Sequence, residues 1–212
     1  MLFDSSKPLV TDSEGLLKSL PVEAEPGSWK GASRVVSSGL CDLQVNGFAG
    51  VDYNDPSLTP KAFEQSLFAM LSTGVTTCLP TVITGSEDWQ IQCFHALEAG
   101  RNASKLAQAM VPGYHLEGPF LNPEEGFCGC HPTKWMRSAT WDHFERLQEA
   151  AGGRITLITV APEIKGVLDL IPKWVEKGIA VAIGHCNPDR DTLLRAADAG
   201  ATLSTHLGNG IA

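Results

Sequence analysis

The chain has 212 residues and a formal net charge of −8, with 43% hydrophobic and 19% charged residues, the proportions of an ordinary globular protein. Lys and Arg form no cluster, which argues against a surface for nucleic-acid phosphates, and no apolar run reaches the roughly 18 residues that a membrane span needs. We therefore expect a cytoplasmic protein with a small-molecule substrate, no nucleic-acid or membrane partner, and six reduced cysteines.

Short β-rich runs alternate with amphipathic helical runs from residue 39 onward. The predicted strands cover residues 39–45, 74–81, 109–116, 155–160, 179–183 and 201–205. The predicted helices cover residues 60–72, 87–99, 140–150, 167–177 and 190–199. Thr59 and Ser86 are the expected caps of the first two helices. Glycines are expected to end four helices, at Gly74, Gly100, Gly178 and Gly200.

This alternation predicts an α/β fold with a parallel sheet, because the strands carry little polar alternation. Six strands joined by helical crossovers favour a (β/α)8 TIM-like barrel, since polar residues follow several different strands; an open doubly wound sheet is the alternative. A complete barrel takes about 250 residues. We therefore interpret residues 39–212 as a partial barrel catalytic domain with about six strands, and residues 1–38 as a remnant of a small β domain or an N-terminal arm.

Three predicted strands end in side chains that bind transition metals. Residues 179–185 read Ile-Ala-Val-Ala-Ile-Gly-His and residues 201–206 read Ala-Thr-Leu-Ser-Thr-His, so His185 and His206 follow consecutive strands, and Glu117 closes an earlier one. Taken singly, each histidine could equally be a core residue. Their equivalent positions at strand ends instead predict convergence at one face of the barrel. Two His and one Glu indicate a site for one divalent transition metal, with positions open for water.

Further polar residues lie near the same strand ends. His115 precedes Glu117 by two and shares its face of the strand, so it is a candidate ligand or a support for one. Gln44 and Asn46 end the first predicted strand. Because amides are poor ligands for zinc or iron, we expect them to orient water or substrate. This favours one metal ion rather than two.

The loop after the Glu117 strand contains His131, which is a candidate for contact with substrate. A solvent-exposed loop histidine is an equally good interpretation of this residue alone. Cys128 and Cys130 stand just before it, so the three together could also form a metal clip. Structural zinc sites usually need four ligands, and the sequence has no second cysteine pair that could complete such a site.

Five short motifs occur in order along the predicted barrel. They are Asp-Leu-Gln-Val-Asn-Gly at 42–47, His-Leu-Glu-Gly-Pro-Phe at 115–120, Val-Ala-Pro-Glu at 160–163, Gly-His at 184–185 and Thr-His-Leu at 205–207. In these motifs the chain resembles the amidohydrolase superfamily, and within it the N-acetylglucosamine-6-phosphate deacetylase family.

The resemblance implies a specific set of site residues. It implies that one zinc or iron ion is bound by Glu117, His185 and His206. It implies that Gln44 and Asn46 stand where other members have histidines for a second metal. It also implies that His131 and Asn209 contact the sugar.

The resemblance implies hydrolysis of the amide of N-acetylglucosamine 6-phosphate or a related N-acetyl amino sugar, a step of amino-sugar metabolism. A homodimer is a possible assembly of the chain. The family's catalytic aspartate would lie beyond Ala212, so no catalytic residue is assigned. Glu163 is the nearest spare carboxylate by strand position. The alternative function is a catalytically impaired remnant or metal-binding module that lacks the general base.

Overall fold

The computed structural model describes residues 36–208, with side chains from residue 38, and the backbone of residues 2–3, 10–11 and 17–19. Asn209 and most of the predicted N-terminal segment lie outside the described residues. The chain divides into two compact units, Met1–Leu40 and Cys41–Ala212. In the first unit, β1 (Leu2–Phe3) pairs antiparallel with β4 (Val36–Ser37), and β2 (Val10–Thr11) pairs antiparallel with β3 (Leu17–Ser19).

The second unit contains the alternating strands and helices. Its strands are β5 (Leu40–Val45, which begins at the unit boundary), β6 (Gly47–Phe48), β7 (Val51–Asp52), β8 (Val75–Val82), β9 (Tyr114–Glu117), β10 (Ile155–Val160), β11 (Ala180–Ile183) and β12 (Leu203–Ser204). Its α-helices are α1 (Pro60–Leu71), α2 (Glu87–Ala103), α3 (Lys105–Met110), α4 (Trp141–Ala150), α5 (Val167–Glu176) and α6 (Arg190–Asp198). A short 3-10 helix covers Thr133–Trp135.

Six strands form one sheet in the order β12-β11-β10-β9-β8-β5. The neighbouring pairs from β8 to β12 are parallel, and the sheet curls into an incomplete barrel. The predicted TIM-like α/β fold with about six strands is therefore confirmed. Since every strand from β8 onward runs the same way, the carboxyl ends of β9, β11 and β12 lie at the same face of the barrel.

The helices begin where the sequence predicts caps. The Thr59 side chain accepts a hydrogen bond from the backbone N–H of Ala62, and Ser86 accepts one from Trp89. One expected helix stop is wrong, because Gly100 lies inside α2. A Cβ atom at this position would lie 2.7 Å from Phe63 Cδ1, so Gly100 serves close packing of α1 on α2 instead.

The predicted strand at residues 109–116 is too long at its amino end. Residues up to Met110 belong to α3, whose first turn is capped by the Ser104 side chain accepting from the N–H of Ala107. Pro112 follows two residues later and disfavours helical backbone at Val111. The strand itself starts at Tyr114. The capped helix α3 thus includes the first residues of the apolar run that had suggested a strand.

The main core lies between the outer face of the sheet and the helices. Its largest fully buried side chains include Trp174, Tyr53, Tyr114, Phe63 and Phe94. A smaller buried group on the opposite face of the sheet contains Leu79, Leu157 and Ala182. By strand alternation this second face also carries His115 and Glu117. No helix in the described part of the chain is long and apolar enough to cross a membrane.

Candidate metal centre

The three predicted ligands converge at the carboxyl ends of β9, β11 and β12. Glu117 is the last residue of β9, while His185 and His206 each follow their strand by two residues. Glu117 Oε1 lies 3.2 Å from His185 Nε2 and 3.4 Å from His206 Nε2. One ligand atom from each residue lies within 4.8 Å of the other two. Glu117 and His185 are buried, and His206 is exposed.

Both histidines have backbone in the left-handed region, with φ of 50° at His185 and 56° at His206. For residues other than glycine this conformation costs roughly 1–2 kcal/mol, and it is concentrated at functional sites. Gly184 precedes the first of them, and a Cβ there would lie 2.8 Å from Thr205 Cβ. The absence of a side chain at Gly184 therefore lets the ends of β11 and β12 approach each other.

The charge of the cluster suits a cation. Burial raises the pKa of Glu117, but the surrounding imidazoles, above all His185, lower it by a larger amount. The pKa of Glu117 therefore lies below its usual range. The adjacent Glu117 carboxylate in turn raises the pKa of His185. Burial lowers the pKa of His115 and of His131 to about 4, so both are neutral near pH 7. A buried carboxylate is thus ionised among histidines.

Two buried atoms of this cluster make no hydrogen bond, Glu117 Oε1 and His185 Nε2. Buried polar atoms normally have a partner, so these two indicate a missing ligand. Two donors each about 2.1 Å from a tetrahedral zinc ion would lie about 3.4 Å apart, close to the observed separations. The residues present therefore fit one transition-metal ion with three protein ligands.

The tautomer of His185 also fits this role. Its Nδ1 lies 3.0 Å from the backbone oxygen of Phe127. A carbonyl oxygen only accepts, so Nδ1 carries the proton and donates it to Phe127. The lone pair of Nε2 then faces Glu117 and His206. Such a backbone contact behind a histidine is how metal ligands are commonly oriented.

His131 reaches the same cluster from the loop after β9. Its ring lies 4.4 Å from the His185 ring, and its Nε2 lies 3.6 Å from Glu117 Oε2. The backbone N–H of Thr84 donates to Nδ1 at 3.4 Å, which leaves the His131 proton on Nε2. The residue is buried and is not one of the three clustered ligands. It can donate a hydrogen bond at the edge of the centre.

His115 precedes Glu117 by two on β9 and is not one of the three clustered potential ligands. Its Nδ1 donates to the backbone oxygen of Leu43 at 3.1 Å. Its Nε2 therefore accepts from the Thr159 hydroxyl at 2.7 Å, and that oxygen accepts from the Thr205 hydroxyl at 2.8 Å. This chain of hydrogen bonds ends beside His206. The sequence analysis did not identify the two threonines as site residues. Their positions, on β10 and just after β12, could have indicated that they lie near the site.

Three further residues were predicted for the site, Gln44, Asn46 and Asn209. Gln44 belongs to β5, the edge strand beyond β8, and Asn46 follows it, with its side-chain amide donating to the backbone oxygen of Thr81 at 3.3 Å. Asn209 lies outside the described residues. All six cysteines are free thiols, and the cluster of potential metal ligands within the described residues includes neither Cys128 nor Cys130.

A cavity of about 420 Å³ adjoins the cluster. It is lined by residues that follow β11 and β12, among them His185, Asn187, Thr205 and His206, and by Phe127 from the loop after β9. The lining combines these polar groups with apolar side chains such as Ile183 and Leu193, and the space is large enough for a small ligand. The metal-ligand cluster lies at its wall.

An incomplete TIM-like barrel with two histidines and a glutamate at its strand ends has the architecture of metal-dependent hydrolases. No family model matches the sequence. N-acetylglucosamine-6-phosphate deacetylase of Bacillus subtilis is 32% identical over 181 residues, covering 84% of this chain and 44% of the relative. N-acetylgalactosamine-6-phosphate deacetylase of a Shewanella strain is 33% identical and covers 93% of this chain and 48% of the relative.

Solved structures agree with these relatives. An N-acetyl-D-glucosamine-6-phosphate deacetylase mutant of Mycobacterium smegmatis, in complex with N-acetyl-D-glucosamine 6-phosphate, matches with a TM-score of 0.73 and 29% identity over 82% of this chain. The Pasteurella multocida enzyme matches with a TM-score of 0.70 and 32% identity. This chain is a homologue of N-acetylglucosamine-6-phosphate deacetylases, as its motifs predicted, and it spans less than half of their length.

Proposed function

We propose that this chain is a metal-dependent amide hydrolase that deacetylates an N-acetylated amino sugar, N-acetylglucosamine 6-phosphate or a close relative of it. The observation that carries the proposal is the convergence of Glu117, His185 and His206, with two buried ligand atoms that lack a hydrogen-bond partner. The relatives suggest the substrate class, since they include deacetylases of N-acetylglucosamine 6-phosphate and of N-acetylgalactosamine 6-phosphate.

A zinc or iron ion held by these three side chains would supply Lewis acidity, which polarises a carbonyl and makes water nucleophilic near neutral pH. Glu117 contributes the negative charge that balances the cation, and the Phe127 carbonyl keeps the His185 lone pair directed into the site. His131, with its proton on Nε2, is suited to donate to an oxygen of the bound sugar or amide. Gln44, Asn46 and Asn209 are proposed as further substrate contacts.

The direct test is amide hydrolysis by the zinc-loaded chain, followed as acetate release from N-acetylglucosamine 6-phosphate. General acid–base catalysis is typically worth 10²–10⁴ in rate, and no base is assigned within the described residues. We therefore expect metal-dependent turnover well below the roughly 10 s⁻¹ of an ordinary enzyme. A Glu117→Ala variant should release no acetate above background.

Two results would change this proposal. Turnover near 10 s⁻¹ would show that a group of this chain already serves as the base. Absence of metal-dependent acetate release, from the glucosamine and the galactosamine substrates alike, would contradict the hydrolase assignment and favour a metal-binding module.

Replacement of His131 by Ala should raise KM about fivefold while the metal content stays unchanged. The residue is placed to contact substrate but lies outside the three-ligand cluster, and one lost hydrogen bond to a substrate is worth about 1 kcal/mol. Steady-state kinetics together with elemental analysis measures both quantities. His95→Ala, an exposed histidine on α2, is the matched control and should change neither. Loss of metal from the His131 variant would instead make that residue a ligand.

A further inference from the structure

Glu163 lies in the segment between β10 and α5, close behind the metal centre. Its Oε1 atom accepts two hydrogen bonds, from Asn122 Nδ2 at 2.9 Å and from the backbone N–H of Asn187 at 2.6 Å. Asn122 follows β9, and Asn187 follows β11. One carboxylate oxygen therefore joins the carboxyl ends of three neighbouring strands.

The same contacts enclose the His185 backbone. The N–H of Asn122 donates to the His185 carbonyl oxygen at 3.0 Å. Asn187, which Glu163 holds, is only two residues further along the chain. His185 has the left-handed backbone that residues other than glycine rarely adopt, so its conformation requires surrounding contacts to maintain it. These hydrogen bonds hold the chain on the carboxyl-terminal side of the strained residue, while on its amino side the backbone N–H of Gly184 donates to the Val160 oxygen at 3.2 Å.

We infer that Glu163 is a positioning residue, which holds the His185 backbone in the conformation that directs the imidazole to the metal by joining Asn122 to Asn187. The inference rests on the proposed metal centre and extends it to a residue that does not contact the metal. It also gives this carboxylate a role other than general base. Its Oε1 is already occupied by two donors that tie it to the ends of the neighbouring strands.

Three variants separate positioning from other roles. Glu163→Ala removes both hydrogen bonds, whereas Glu163→Gln keeps an oxygen that can accept them. Asn122→Ala removes the side-chain donor but leaves the backbone bond to His185. Glu125→Ala removes an exposed carboxylate from the loop after β9 and is the matched control.

Zinc affinity is measured on the full chain by competition with a chromophoric chelator, and the ligand geometry is followed by the visible absorption of bound Co²⁺. Glu163→Ala should weaken zinc binding 10- to 100-fold and alter the Co²⁺ spectrum, as loss of a group supporting a ligand typically does. Glu163→Gln should restore affinity to within about threefold of wild type. Glu125→Ala should bind like wild type.

Unchanged zinc affinity in a folded Glu163→Ala variant would overturn the inference. So would loss of turnover in Glu163→Gln with normal zinc affinity, because a base requires the charge that Gln lacks. Circular dichroism reports whether each variant folds. If Glu163→Ala does not fold, Asn122→Ala decides, since its affinity should fall about tenfold and an unchanged value would again refute positioning. Failure of the wild-type chain to bind zinc would instead refute the proposed function.

Discussion

Protein reconstituted with zinc or iron should hold about one metal ion per chain, and a variant with Glu117, His185 and His206 all replaced by Ala should hold none. Three ligand atoms lie within 4.8 Å of one another, and two of them are buried without a hydrogen-bond partner. A three-ligand site keeps a position open for water or substrate. Elemental analysis after dialysis measures the stoichiometry.

The control for this experiment is His95→Ala, which removes an imidazole from the exposed face of α2 and should retain a full equivalent. Two equivalents in the wild-type chain would contradict the prediction that Gln44 and Asn46 do not form a second site. A full equivalent retained by the triple variant would place the metal elsewhere.

Replacement of Trp174 by Ala is expected to lower the free energy of unfolding by about 3–5 kcal/mol. Trp174 is fully buried in α5, with its ring stacked on Phe120 at 6.1 Å and edge-on to Phe144 at 5.8 Å. Removing the indole leaves a cavity at the junction of α4, α5 and the sheet, which surrounding groups fill only in part. Urea denaturation followed by far-ultraviolet circular dichroism measures the change.

Trp135→Ala is the matched control, because this indole is only partly buried and belongs to the short 3-10 helix. We expect it to cost about 1 kcal/mol or less. An equal loss in both variants would mean that the cluster around Trp174 contributes no more to stability than a surface contact does.

The same strands carry core residues on one face and site residues on the other. On β9, Leu116 points into the main core, while His115 and Glu117 point to the other face. A one-residue change of register would exchange these faces and remove Glu117 from the centre. The large apolar core therefore also specifies where the three proposed metal ligands lie.

Much of the fold was predictable from the sequence because its signals are local. Apolar runs, helix caps and glycines marked the strands and helices, and parallel strands joined by helices place their carboxyl ends at one face. That is why Glu117, His185 and His206 were identified as one ligand set. The strand predicted at 109–116 was partly wrong since an apolar run does not by itself distinguish a strand from a short capped helix.

The tertiary structure decided what depends on contacts between distant segments. The bond of His185 to Phe127, the burial of His131 against Glu117 and the Glu163 contacts join residues from 14 to 58 positions apart. The left-handed backbone of His185 is likewise maintained by contacts of this kind. Sequence alone determined which ligand types stand at which strand ends. Only the folded chain determined their tautomers, ionisation and support, because these follow from hydrogen bonds and burial that no local pattern encodes.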